Sequence, residues 1–210
     1  MSTHSGIRAV LFDVGGVIVN ARPDPTETAA LLGIPTDDLT AIRLVDQAMW
    51  AHRDAYDAGT TDKEFWDRVA GDCGLEEIDD HTLAALVAAD TGRLDTADPR
   101  AIAIVEDFYN AGIVCSVLSN APHAIADAIK AAPWYRQYFS SGVFSAEVNV
   151  CKPQRAIFRH ALANVEVEPQ AIVFVDDRCE NLRAAELLGM KTVLWDGSDE
   201  AEYELRSYLP

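Results

Sequence analysis

Four short stretches put carboxylate, hydroxyl and ammonium groups where an apolar run gives out. Asp13 closes AVLFDV (9–14), Ser119-Asn120 follow IVCSVL (113–118), Lys152 sits in NVCKPQ, and Asp176-Asp177 follow AIVFV (171–175). An unpaired carboxylate inside a segment as oily as LFDVGGVIVN would cost several kcal/mol of desolvation, so Asp13 needs a reason. Phosphoryl transfer is the chemistry these groups share. An ionised aspartate can attack phosphorus and carry the phosphoryl as an aspartyl-phosphate. It must be shielded from the substrate's negative charge by a cation and fixed donors. Asp176 and Asp177 offer oxygen ligands of the kind Mg²⁺ prefers. Lys152 can pair with Asp13 and neutralise a transferring oxygen, while the Ser119 hydroxyl and nearby backbone N–H groups can hold the phosphoryl group. Each site has a plainer alternative: a turn at Asp13, a helix cap at Ser119-Asn120 or at Asp176-Asp177, a surface lysine at 152.

Those groups converge only if the strands run parallel with their carboxyl ends on one side. The runs at 9–14, 113–118, 171–175 and 192–195 read as strands buried on both faces, and GVFSAEV (142–148) as a fainter one. Amphipathic segments alternate with them: Phe158, Ala161, Leu162 and Val165 share a face, as do Ala184, Ala185 and Leu188, with Gly189 as a C-cap. The predicted class is therefore α/β, a Rossmann-like parallel sheet covered by helices. Residues 23–92 break the rhythm. No buried strand occurs there, and helices are expected at about 25–32, 37–56, 62–72 and 80–90, with a Thr61/Glu64 capping box and Asp79 or Asp80 as a further cap. The expectation is a core of residues 7–22 and 93–210 with an inserted all-helical cap domain at 23–92. Trp50, Tyr56, Phe65 and Trp66 fall at helical spacing and read as the interior of that insertion, with room for one or two of them to line the crevice. The two glycines after Asp13 are expected to let the chain turn tightly.

Composition narrows the partners. Of 210 residues, 34 are acidic and 17 are lysine or arginine, a formal charge of −17, which argues against nucleic acid and anionic membranes. A small phosphorylated substrate is compatible with it. The start, MSTHSG, is polar with no apolar signal region behind it, and no run approaches the length of a membrane span. Cys73, Cys115, Cys151 and Cys179 show neither a C-x-x-C pair nor zinc spacing, so reduced thiols in a cytoplasmic protein are expected. Neither G-x-S-x-G nor a phosphate- or dinucleotide-binding glycine motif occurs. Nothing in the sequence sets an oligomeric state.

In this order, FDVGGV, VLSNA, CKP and VFVDDRCEN resemble the motifs of the haloacid dehalogenase superfamily, and the helical insertion resembles the cap many members carry after the first motif. FDVGGVIV, LSNA and VDDRCENLRAAELLGM are most similar to sugar-phosphate phosphatases related to α-D-glucose-1-phosphate phosphatase, and to the phosphatase domain of soluble epoxide hydrolases. The resemblance implies a Mg²⁺-dependent hydrolase. Asp13 would be nucleophile and metal ligand, the Gly15 carbonyl a second ligand at the edge of the substrate site, and Asp177 a third. Asp176 would lie in or next to the metal shell. Ser119 and Asn120 would bind the phosphoryl group, Lys152 would orient Asp13, and Asn181 would join the substrate-binding residues.

Most phosphatases of this superfamily carry a second aspartate two residues after the nucleophile, as general acid and base; here that residue is Gly15. Such help is worth about 10²–10⁴-fold. Three outcomes are open: a substrate whose leaving group departs without protonation, a proton supplied from the cap by His52, Asp54 or Asp57, or a regulatory protein that binds metal and phosphate without turnover. The glucose-1-phosphate phosphatase group also has glycine here, which favours an enzyme. A carbon–halogen hydrolase, which needs no metal, is disfavoured by the Asp176-Asp177 pair, and a phosphomutase by Gly15.

Overall fold

The buried tetrapeptide Ala9–Phe12 is the middle strand, β1, of a five-stranded parallel sheet in a computed structural model that describes residues 6–210. Most of the polar start, Met1–Ser5, lies outside the described residues. From β1 the chain runs through α1 (Pro25–Leu31), α2 (Leu39–Asp57), α3 (Asp62–Asp72) and α4 (Asp80–Gly92). It continues as α5 (Pro99–Asn110), β2 (Val114–Ser119), α6 (His123–Ala131), α7 (Pro133–Tyr138), β3 (Ser141–Phe144) and α8 (Ser145–Val148). Last come α9 (Arg155–Val165), β4 (Ile172–Asp176), α10 (Cys179–Glu186), β5 (Lys191–Leu194) and α11 (Asp199–Arg206). Strand order is β3-β2-β1-β4-β5, so the chain winds outward from β1 in both directions. Ligands of such sheets bind at the reversal point, here between β1 and β4.

Side chains alternate across the sheet with period two. Val10 and Phe12 point into one core with Ile104 and Phe108 of α5 and Ile125 of α6; Ala9 and Leu11 point into the other with Phe158 of α9 and Leu182 of α10. A third apolar cluster, including Val45, Met49, Phe65, Trp66 and Leu86, is built within α1–α4. Tyr56, Phe65 and Trp66 are buried as expected, whereas Trp50 is 51% exposed.

Four of the aspartates start helices. Asp24, Asp38, Asp79 and Asp98 each accept a backbone N–H of the following turn, from Thr26 at 2.8 Å, Thr40 at 2.8 Å, Thr82 at 2.7 Å and Arg100 at 2.7 Å. Each such cap is worth about 1 kcal/mol, and its charge suits the positive helix end. The Thr61/Glu64 box forms as the sequence predicts. Among the described residues no helix is long and apolar enough to cross a membrane.

The run at 142–148 differs from its reading as one strand. Strand β3 stops at Phe144 and the chain coils into α8, ended by Asn149 in the left-handed region at φ 53°. The cause is Ser145, fully buried, whose Oγ accepts from Ala121 N at 2.8 Å and donates to the Asp57 carbonyl at 2.5 Å. An extended chain would forfeit both bonds, about 1 kcal/mol each.

Candidate active site

Strand β1 ends at Phe12, level with Val117 of β2 and Val175 of β4. Asp13 follows, its N–H donating to the Val175 carbonyl at 2.9 Å. The Val14 carbonyl then accepts from Ile18 N at 2.9 Å and Val19 N at 2.8 Å, so the chain turns back at once. Only Gly16 of the glycine pair needs conformational freedom, with φ +78°. A Cβ there would lie 3.0 Å from Asp177 Cγ and would collide with Oδ2. At Gly15 a Cβ would meet nothing within 4 Å.

The donors around Asp13 all fall on one oxygen. Oδ1 accepts from Val14 N at 2.7 Å and Ser119 Oγ at 2.8 Å, and Lys152 Nζ lies 2.9 Å away. Oδ2 takes no donor among the described residues. The Lys152 ammonium also reaches Asp176 Oδ2 at 2.7 Å and the Leu118 carbonyl at 3.0 Å, which gives each of its three protons an acceptor. Its backbone is clamped by Asn120, which accepts Lys152 N at 2.7 Å and donates to its carbonyl at 3.1 Å. Asn120's side chain thus grips Lys152, with one amide N–H left over.

Asp176, fully buried, is saturated. Arg178 N (2.9 Å) and Asn181 Nδ2 (2.9 Å) meet Oδ1, while Lys152 Nζ and Asn181 Nδ2 (3.1 Å) meet Oδ2. Asn181 therefore points its amide at Asp176. Asp177, by contrast, receives no hydrogen bond or ion pair from another described residue. Asp13, Asp176 and Asp177 each present an oxygen, all within 4.8 Å of one another. Burial pulls the Lys152 ammonium's pKa down, but Asp13 and Asp176 outweigh it, so the group stays charged. Burial pushes Asp177 up, and the charge of Asp176 adds to it.

A crevice of about 870 Å³ opens above these groups, and every sequence-predicted site residue except Asp176 lines it. Its far side is Trp50, Arg53, Asp54 and Asp57 of α2, with Arg93. Arg53 pairs with Asp57 at 2.8 Å; Arg93 pairs with Asp90 at 3.1 Å and reaches the Ala21 carbonyl at 3.0 Å. These arginines escaped the sequence reading, as did Ser145. The ion pairs of the arginines are local, but Arg93 reaches Ala21 across 72 residues and Ser145 reaches Asp57 across 88, contacts that local sequence does not mark. His52 turns away to Asp72 at 2.9 Å and does not line the crevice. All four cysteines are free thiols, and burial pushes Cys115 up to about 12.

A family model for haloacid dehalogenase-like hydrolases matches residues 7–189. The chain is 27% identical over 205 residues to drimenol cyclase drtB of Aspergillus calidoustus, covering 95% of this chain but only 36% of that protein. It is 22% identical over 184 residues to sesquiterpene phosphatase astK of Aspergillus oryzae, covering 87% of each chain. Among solved structures, a Bacteroides thetaiotaomicron enzyme crystallised with magnesium and inorganic phosphate superposes with a TM-score of 0.71 at 23% identity, covering 94% of this chain and 99% of that one.

Proposed function

Because the chain belongs to the haloacid dehalogenase-like hydrolases, we propose that it is a Mg²⁺-dependent phosphatase of a small phosphorylated metabolite, a sugar phosphate first, acting through an aspartyl-phosphate on Asp13. One observation carries the reading: three donors fix Asp13 Oδ1 and none among the described residues engages Oδ2, leaving a positioned, uncapped nucleophilic oxygen beside two further carboxylates.

The donor set fits Mg²⁺. Three carboxylates within 4.8 Å face a single ammonium, so the cluster carries surplus negative charge and hard oxygens. Asp13, Asp177 and the Gly15 carbonyl, which no backbone N–H takes among the described residues, would hold the ion, and the bare Gly16 makes room for Asp177. Asp176, already saturated, would steady Lys152 beside the shell. When bound, the ion supplies positive charge against the phosphoryl oxygens. Asp13 Oδ2 attacks phosphorus, Ser119 and Lys152 keep the carboxylate from rotating, and the main-chain N–H of Asn120 would donate to a phosphoryl oxygen.

The Arg53, Asp54 and Arg93 side chains beside the crevice favour a polyol phosphate. A terpenoid phosphate is the second reading, favoured by the exposed Trp50 in the crevice and by what the astK relative is named for. The test is phosphate release from acetyl phosphate, glucose 1-phosphate, glucose 6-phosphate and farnesyl monophosphate, with Mg²⁺ or with chelator. Mg²⁺-dependent release from any of them supports the reading, and the rates rank the two substrate classes. Release from none, or release indifferent to chelator, overturns it.

Gly16→Ala tests the metal cradle. Its Cβ displaces the Asp177 carboxylate and its φ penalises any side chain, so Mg²⁺ affinity is expected to fall about 10–100-fold by titration calorimetry. Unchanged affinity would remove Asp177 from the ligand set.

A further inference from the structure

With glycine at position 15, β1 offers no proton for the leaving group, and the crevice holds few substitutes. His52 faces Asp72 outside it, the Tyr56 hydroxyl is taken by Asp62 at 2.6 Å, and Asp54 is exposed. We propose that Asp57, the last residue of α2, is the general acid and base of this site. The inference rests on the phosphatase reading above.

The fold fixes Asp57 in the frame of the core, although it ends a helix of the insertion. Its carbonyl accepts from Ser145 Oγ, which in turn accepts from Ala121 N, the residue after Ser119-Asn120. Gly59, at φ +111°, lets the next turn close on α8: a Cβ there would lie 3.3 Å from Asn149 Oδ1 and 3.5 Å from the Ala146 carbonyl. The end of α2 is therefore stitched to the loop that would hold the phosphoryl group. The Asp57 side chain is 13% exposed and lines the crevice, as does Asp13. Arg53 Nε engages Oδ1 at 2.8 Å, and Oδ2 has no partner among the described residues.

Its surroundings suit proton transfer. Burial pushes the Asp57 carboxyl up; Arg53 pulls it down; Asp54 on the same helix and Asp13 just after β1 push it up again, to about 6. The Cys151 thiol, before Lys152, senses the charge of Asp57, and Asp90 of α4 stands behind Arg53 at 3.9 Å. Both protonation states are thus populated near neutral pH, where a group that must donate and then accept is most effective.

In the first half-reaction the bond from Asp13 Oδ2 to phosphorus forms as the bond from phosphorus to the leaving oxygen breaks. That oxygen keeps the electron pair and takes the proton of Asp57. In the second, a water oxygen bonds to phosphorus and the Asp13–phosphorus bond breaks. Asp57 takes the water's proton, which restores both aspartates and releases inorganic phosphate.

The test compares glucose 6-phosphate, whose alkoxide needs a proton, with acetyl phosphate, whose carboxylate does not, in single turnovers that follow release of glucose or acetate, the half-reaction that precedes the role of Asp57 as base. Asp57→Asn keeps an oxygen for Arg53 and is expected to slow glucose 6-phosphate about 10²–10⁴-fold while changing acetyl phosphate less than about threefold. Adding Gly15→Asp, for which there is open space, is expected to restore most of the loss. In the wild type the glucose 6-phosphate rate should fall as pH rises through about 6, and the acetyl phosphate rate should not. Equal loss on both substrates, loss on neither, a wild type that turns over only acetyl phosphate, or no such pH limb overturns the role of Asp57. A wild type silent on every phosphate overturns the phosphatase reading itself. Should Asp57→Asn fail to fold, the wild-type pH limb decides.

Discussion

Asp13→Asn is expected to reduce phosphate release by a factor on the order of 10⁵–10⁶, as removal of an enzymic nucleophile does, while leaving the protein at least as stable. The asymmetry of the site predicts both halves. Asparagine can turn its carbonyl oxygen to Val14 N, Ser119 Oγ and Lys152 Nζ, which already surround Oδ1, and put its amide nitrogen where Oδ2 stood. The geometry survives and the attacking lone pair is lost. The substitution also removes one of three clustered negative charges, and Lys152 keeps Asp176 as its partner. Calorimetry should show an unchanged or raised Tm, and phosphate release should sit at background. Retention of more than about a hundredth of the activity would mean that the nucleophile is another group.

Asp13 is legible in the sequence alone. Its neighbours Leu11 and Phe12 demand a buried strand, and a parallel sheet forces the carboxyl ends of β1, β2 and β4 together, so Asp13, Ser119 and Asp176 had to meet. The same logic does not reach the side-chain partners of the amides. Asn120 and Asn181 read as substrate-binding residues through the family resemblance; both line the crevice, and their side chains also hold Lys152 and Asp176, contacts set by rotamers and neighbours rather than by spacing. Gly15 and Gly16 look alike in sequence, but only the second sits at positive φ. The strand read through 142–148 was broken by Ser145, whose partners, Asp57 and Ala121, lie 88 and 24 residues away. Local pattern carries burial and periodicity; it carries no record of a contact that two distant segments make between them.

Lys152→Met is expected to cost about 3–5 kcal/mol of stability in the metal-free protein, because it leaves buried carboxylates without their counter-charge. Asp176 is fully buried and Asp13 nearly so, and each lies within 3 Å of the ammonium, at 2.7 and 2.9 Å. Methionine matches the stem but returns nothing to either oxygen or to the Leu118 carbonyl. The sign of the pH dependence follows from Asp176. Burial already holds its pKa above the ordinary value even though Lys152 pulls it down, and deleting the lysine raises it further. The folded variant then binds more protons than the unfolded chain over that range, so its stability rises as pH falls. The deficit relative to wild type should therefore shrink from about pH 8 toward about pH 5. Because a divalent cation replaces the missing charge, saturating Mg²⁺ should raise the Tm of the variant more than that of the wild type. Equal Mg²⁺ shifts in both proteins, or a deficit that grows on acidification, would show that Lys152 does not neutralise this carboxylate cluster.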